Sequence, residues 1–93
     1  MQLGIITQHI VSTKKNEQLT GCKLLVVRII EDMRLTDNYL VAVDSVGAGE
    51  GEVVLVARGS AARIGIGKET APVDSAIIGI VDEPSSVLKE NAS

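Results

Sequence analysis

The feature that most constrains the fold lies between Val41 and Ala57, where two apolar segments flank six residues with glycine at alternate positions. The segments are Val41-Ala42-Val43-Asp44-Ser45-Val46 and Val53-Val54-Leu55-Val56-Ala57, and the connection is Gly47-Ala48-Gly49-Glu50-Gly51-Glu52. Runs this short and this rich in valine read as strands. Glycine in the connection permits positive φ and close approach of another backbone. A dinucleotide fingerprint would need glycine where Glu52 stands, and the two carboxylates would repel a pyrophosphate, so the loop is read as structural.

The rest of the composition agrees with sheet. The 93 residues include 12 Val, 10 Ile and 8 Leu but no Phe or Trp, and Tyr39 is the single aromatic residue, so the core must be aliphatic and largely β-branched. A net charge of −3 and few aromatics argue against a nucleic-acid partner, which needs clustered cations or stacking rings. No apolar run approaches the roughly 20 residues of a membrane span, so no membrane partner is expected. The N-terminus lacks the pattern of a signal peptide, and Cys22 is the one cysteine, which together predict a reducing, cytosolic setting. His9, the sole histidine, has no second His or Cys near it in sequence and reads as a surface or partly buried strand residue. No metal, cofactor or catalytic set is predicted.

Along the chain, strands are expected over Met1–Thr13, Lys23–Ile30, Tyr39–Ser45, Val53–Ala57 and Ile77–Asp82. Glu31–Asn38 reads as a loop, and Arg58–Arg63 as a break in which the amides of Gly59-Ser60 approach a ligand or a symmetry mate. Gly65-Ile66-Gly67-Lys68-Glu69-Thr70 lacks both the leading glycine and the magnesium-binding hydroxyl of a phosphate loop. Lys23–Ile30 is apolar on both faces apart from Arg28, whereas a strand of a small sheet normally shows one face to water. A neighbouring subunit is therefore expected to cover Leu24, Val26 and Val27, and the tight turn with Asp44, Gly47, Gly49 and Gly51 is assigned to the same interface. Asp44 is expected to accept hydrogen bonds from the turn's amides. The fold class is all-β: one small five-stranded barrel over residues 1–83, for which an OB-like arrangement is one option, assembling as a ring, and followed by a polar tail over 84–93 that is either disordered or a short helix.

The string Ala42-Val43-Asp44-Ser45-Val46-Gly47-Ala48-Gly49-Glu50-Gly51-Glu52-Val53-Val54-Leu55 resembles the signature of the EutN/CcmL family of bacterial microcompartment vertex proteins. Further segments match in order: Ser12-Thr13-Lys14-Lys15 with Leu19, Gly21 and Lys23-Leu24-Leu25; Gly59-Ser60-Ala61-Ala62-Arg63; Pro72-Val73-Asp74; and Ile78-Gly79-Ile80-Val81-Asp82. The resemblance implies a homopentamer of OB-like barrels that caps the vertices of a polyhedral shell, a carboxysome or metabolosome in the bacterial cytoplasm. It implies hexameric shell proteins as partners and a structural rather than enzymatic role. It also suggests that Gly59, Ser60, Ala61 and Arg63 line a central opening. Gln8 and Ala61 depart from the family's usual glycine and serine. The alternative reading is a ligand-binding or regulatory OB-like barrel without catalysis.

Overall fold

A computed structural model of the protein describes residues 1–11, 17–19, 21–67 and 74–89. Its strands are β1 (Gln2–Ile10), β2 (Lys23–Glu31), β3 (Arg34–Asp44), β4 (Val53–Arg58) and β5 (Ser75–Ile80), with one helix, α1 (Gly59–Gly65), after β4. They close into a barrel in the order β1-β2-β3-β5-β4. Every pairing is antiparallel except β3 with β5, where Val43 faces Ala76 and Asp44 faces Ile77 in parallel. A closed five-stranded barrel with this order is the OB arrangement.

Alternation along each strand sorts the aliphatic residues into two groups. Ile6, Leu25, Val27, Ile29, Ala42, Val54, Val56 and Ile77 fill the interior. Their neighbours Val43, Ala57 and Ala76 point the other way and form a second cluster with Ala62 of α1, against which Leu19, Cys22, Leu24, Ile66 and Ile78 pack. Alanine at three of those positions lets α1 lie close against the outside of the barrel. Where β1 crosses β2, the fit is tighter still. A Cβ on Gly4 would run into Val27 Cγ1 and sit 2.8 Å from the Arg28 carbonyl oxygen, so only glycine allows these strands to approach as they do.

Two expectations are corrected. Residues 31–38 do not form a loop: β2 and β3 continue to a two-residue turn, Asp32-Met33, closed by the pair Glu31 and Arg34. Both turn residues are left-handed, at φ 52° and 63°, as a hairpin with right-handed strand twist requires. The usual Asn-Gly signature is absent, which is why the turn is invisible in sequence. Secondly, residues 59–65 form the short helix α1 instead of a loop. Seven residues are too few to display a 3.6-residue period. Smaller differences concern ends: β1 stops at Ile10 and β5 begins at Ser75 and ends at Ile80. Beyond it, Pro84–Ser86 forms a single 3₁₀ turn. Residues 12–16, 20, 68–73 and 90–93, including the Ser12–Lys15 motif and Pro72-Val73, lie outside the described residues.

Three irregularities bend the strands enough for closure. Register shifts occur in β1 between Ile6 and Gln8, in β2–β3 beyond Arg28, and between β4 and β5 beside Gly79. In the second, Ile29 faces the extra residues Thr36, Asp37 and Asn38. Arg28 fills the gap by donating from Nε to the Thr36 carbonyl at 2.6 Å, while the Thr36 hydroxyl donates to the Ile29 carbonyl at 2.7 Å.

Left-handed φ at a non-glycine residue costs roughly 1–2 kcal/mol. Giving the turn the Asn-Gly pair it lacks, through Asp32→Asn combined with Met33→Gly, should therefore raise stability by about 0.5–1 kcal/mol, after the extra unfolded-state entropy of glycine is subtracted. Gly4→Ala should lower it by about 1–3 kcal/mol through overpacking. Urea denaturation at fixed protein concentration checks both.

Candidate functional site

The loop between β3 and β4 is organised by one carboxylate. Asp44 ends β3, and its oxygens accept from the amides of Val46 at 3.1 Å, Gly47 at 3.0 Å and Ala48 at 3.1 Å. Its side chain is only 5% exposed. Lys23, its register partner on β2, brings Nζ to 3.5 Å from Oδ2 and donates to the Ala48 carbonyl at 2.7 Å. One ammonium thus neutralises the carboxylate and satisfies the backbone that the carboxylate has turned.

The consequence is the placement of Ala48. It is fully buried and joins the interior cluster, closing one end of the barrel with a single methyl group. The far side of the loop is laced to β1: Gly51 donates to the Ile6 carbonyl at 2.8 Å and Ile6 to the Glu52 carbonyl at 3.0 Å. Glu52 folds back so that Oε1 accepts from the Gly49 amide at 2.8 Å. Ser45 extends the parallel β3–β5 edge, its hydroxyl donating to the Ile77 carbonyl at 2.6 Å.

The glycines divide in their roles. Gly47 and Gly51 are left-handed, at φ 80° and 86°. Gly49 is not, and a Cβ there would find only Glu52 Oε1, at 3.9 Å. The positive φ that glycine permits in this loop is taken up at Gly47 and Gly51 and not at Gly49. None of the three is crowded among the described residues, so the demand at Gly47 and Gly51 is conformational.

The outward face of β2 also needs a correction. Val27 is 0% exposed inside the barrel and does not belong to any outer surface, because strand alternation turns it inward with Leu25 and Ile29. Leu24 packs into the cluster beneath α1. Val26 faces outward, opposite Val41, which is 50% exposed. Beside them Arg28 stands opposite Tyr39, with its guanidinium 5.8 Å from the ring centre; Tyr39 is 54% exposed. β2 and β3 therefore present an outward strip of Val26, Val41 and Tyr39, bordered by an arginine.

On α1, Ser60 and Ala61 are exposed, Gly59 and Arg63 are half-buried, and Ala62 is the residue turned to the barrel. Gly59, at φ 62°, donates to the Asp74 carbonyl at 2.9 Å, and Arg58 lies 3.4 Å from the Asp74 carboxylate and donates to Gln2 Oε1 at 2.9 Å. His9 is exposed on β1. Among the described residues no three His, Cys, Asp or Glu side chains converge as a metal set. Lys23, Ala48 and Gly4 are parts of this architecture that sequence reading passed over. A lysine opening one apolar strand and an aspartate closing another was the available signal for the first, and an isolated glycine inside a strand for the last.

The sequence and the barrel match a known group. The family described as ethanolamine utilisation protein EutN/carboxysome matches residues 1–82. The chain belongs to the EutN/CcmL family. Within it, the chain is 48% identical over 88 residues to the bacterial microcompartment shell vertex protein GrpN of Rhodospirillum rubrum, covering 94% of this chain and 99% of that one. It is 46% identical over 84 residues to the carboxysome shell vertex protein CcmL of Nostoc sp., covering 88% and 83%. The solved structure of an ethanolamine utilization protein EutN superposes with a TM-score of 0.85 at 44% identity, over 89% of this chain and 88% of that chain. The pentameric GrpN shell protein superposes with a TM-score of 0.80 at 44% identity, over 89% and 95%.

Asp44→Ala removes the acceptor for three amides and should cost about 2–3 kcal/mol, whereas Asp44→Asn, which keeps one acceptor oxygen, should cost less. Gly47→Ala should cost about 1–2 kcal/mol and Gly49→Ala under about 1 kcal/mol, since only the former forces a side chain into the left-handed region. Chemical denaturation of the four variants at equal concentration reads the order.

Proposed function

We infer that this protein is a structural shell component that assembles as a homopentamer and occupies the vertices of a bacterial microcompartment in the cytoplasm. The observation that carries this reading is the superposition of nine-tenths of the chain on the pentameric GrpN shell protein at 44% identity. Physical features support it. The barrel interior is filled by its own aliphatic side chains, so the protein has its surface rather than its inside to offer. In the strip of Val26, Val41 and Tyr39, the latter two are exposed in the single chain and Val26 is half-buried. A largely apolar strip of this kind is better buried than hydrated.

Five-fold rotational symmetry suits a vertex because a layer of six-fold units tiles flat and closes only where a unit of lower symmetry interrupts it. Hexameric shell proteins are accordingly the proposed neighbours. Within the pentamer we assign Val26, with Leu24 at its margin, and the loop of Asp44, Gly47, Gly49 and Gly51 to the contact between protomers. Gly59, Ser60, Ala61 and Arg63 on α1 are assigned to the rim of the central opening, where Ala61 in place of serine makes the lining less polar. Residues 1–83 are taken as the shell-building unit and 84–93 as an appendage to it.

Native mass spectrometry of the isolated protein should find a species of about 49 kDa, five chains of 9.8 kDa. Val26→Lys should shift it toward monomer, because a charge without a partner in a buried interface is strongly unfavourable. Val27→Lys should unfold the protomer itself. A wild-type monomer across micromolar concentrations would overturn the vertex assignment and favour the ligand-binding barrel, and a hexamer would move the protein from vertices to facets.

A further inference from the structure

The segment after β5 is fastened at both ends. At its start the Val81 amide donates to the Val53 carbonyl at 2.8 Å, and at Lys89 the backbone amide donates to the Met33 carbonyl at 2.7 Å. Between these points the chain stiffens itself. The Ser86 amide and hydroxyl both donate to the Glu83 carbonyl, at 2.9 and 2.7 Å, and the Val87 and Leu88 amides both donate to the Pro84 carbonyl, at 3.1 and 2.9 Å. Val87 and Leu88 are half-buried. Pro84 opens the turn and limits its unfolded alternatives.

The acceptor is what gives this arrangement meaning. Met33 is the second of two non-glycine residues held at positive φ in the β2–β3 turn. Strained backbone persists only when its surroundings over-determine it. The ladder near the tip is short: beyond the register shift only Ile30 with Leu35 and Glu31 with Arg34 are paired. A bond from outside the hairpin therefore bears on the part least supported by its own strands.

We propose that residues 81–89 form a strap that holds the strained hairpin tip closed, and through it the outer end of the β2–β3 face. The second half of this statement rests on the assignment of that face to the protomer contact; the first half does not. The bond is made by the backbone, so the identity of the side chain at 89 is immaterial provided that an N–H is present.

The test is amide hydrogen exchange of the full chain at Glu31 and Arg34, the pair that closes the turn, combined with native mass spectrometry on dilution. Lys89→Pro removes the donor, and exchange at these amides should rise about five- to tenfold, while Lys89→Ala stays within about twofold of wild type. A chain ending at Glu83 should behave as Lys89→Pro. In a Met33→Gly background, where the left-handed strain at the acceptor residue is relieved, the effect of Lys89→Pro should fall to about twofold or less. Unchanged exchange in Lys89→Pro, or equal acceleration in Lys89→Ala, would overturn the strap. If the strap also supports assembly, Lys89→Pro should dissociate at several-fold higher concentration than wild type. Accelerated exchange with unaltered dissociation would retain the strap and overturn its link to assembly, and a monomeric wild type would remove the assembly reading while leaving the exchange result intact.

Discussion

The structure depends on a carboxylate that is nearly out of water and yet fully partnered. Asp44 ends β3 at the point where that strand pairs with β2 on one side and, in parallel, with β5 on the other. Leaving such a group unpartnered would be costly, and the three amides it accepts from are those of the turn that carries the chain away from the sheet. The turn is thereby locked, Ala48 is delivered into the barrel's end, and Lys23 ties the same loop to β2. Strand register, loop shape and core closure meet in one side chain.

Around that lock the chain uses aliphatic residues of small and medium size in a narrow barrel. Methyl groups from valine and isoleucine interdigitate across a short diameter where an aromatic ring would need more room, and glycine at position 4 removes the last obstacle between β1 and β2. Such packing tolerates little adjustment, because interiors are close-packed and a misplaced methylene is felt. The outside of the barrel is then divided. One sector is covered by α1 through alanines, and another, along β2 and β3, is left apolar and open.

The β2–β3 hairpin shows the opposite economy. It carries two left-handed non-glycine residues, a multi-residue register shift filled by Arg28 and Thr36, and an exposed Tyr39. None of these features strengthens a lone hairpin. Its tip is tied to a residue more than fifty positions away in sequence, the Lys89 amide donating to the Met33 carbonyl.

Much of this was determined by the sequence alone. Short valine- and isoleucine-rich runs bounded by turn residues imply strands, the missing aromatics imply an aliphatic core, and Asp44 beside the glycine turn implies an acceptor for that turn, because these are local patterns with local causes, while the Ala42–Leu55 string carries the resemblance to the family. What only the tertiary structure decided is whatever depends on register and facing. Val26 and Val27 are indistinguishable in composition, and a shift of one residue exchanges inside for outside. The same holds for the glycines, of which Gly47 and Gly51 but not Gly49 take left-handed backbone, and for Lys23, whose partner is set by strand pairing. The Asp32-Met33 turn was hidden because its conformation is imposed by the twist of the strands it joins, against the preference of its own residues.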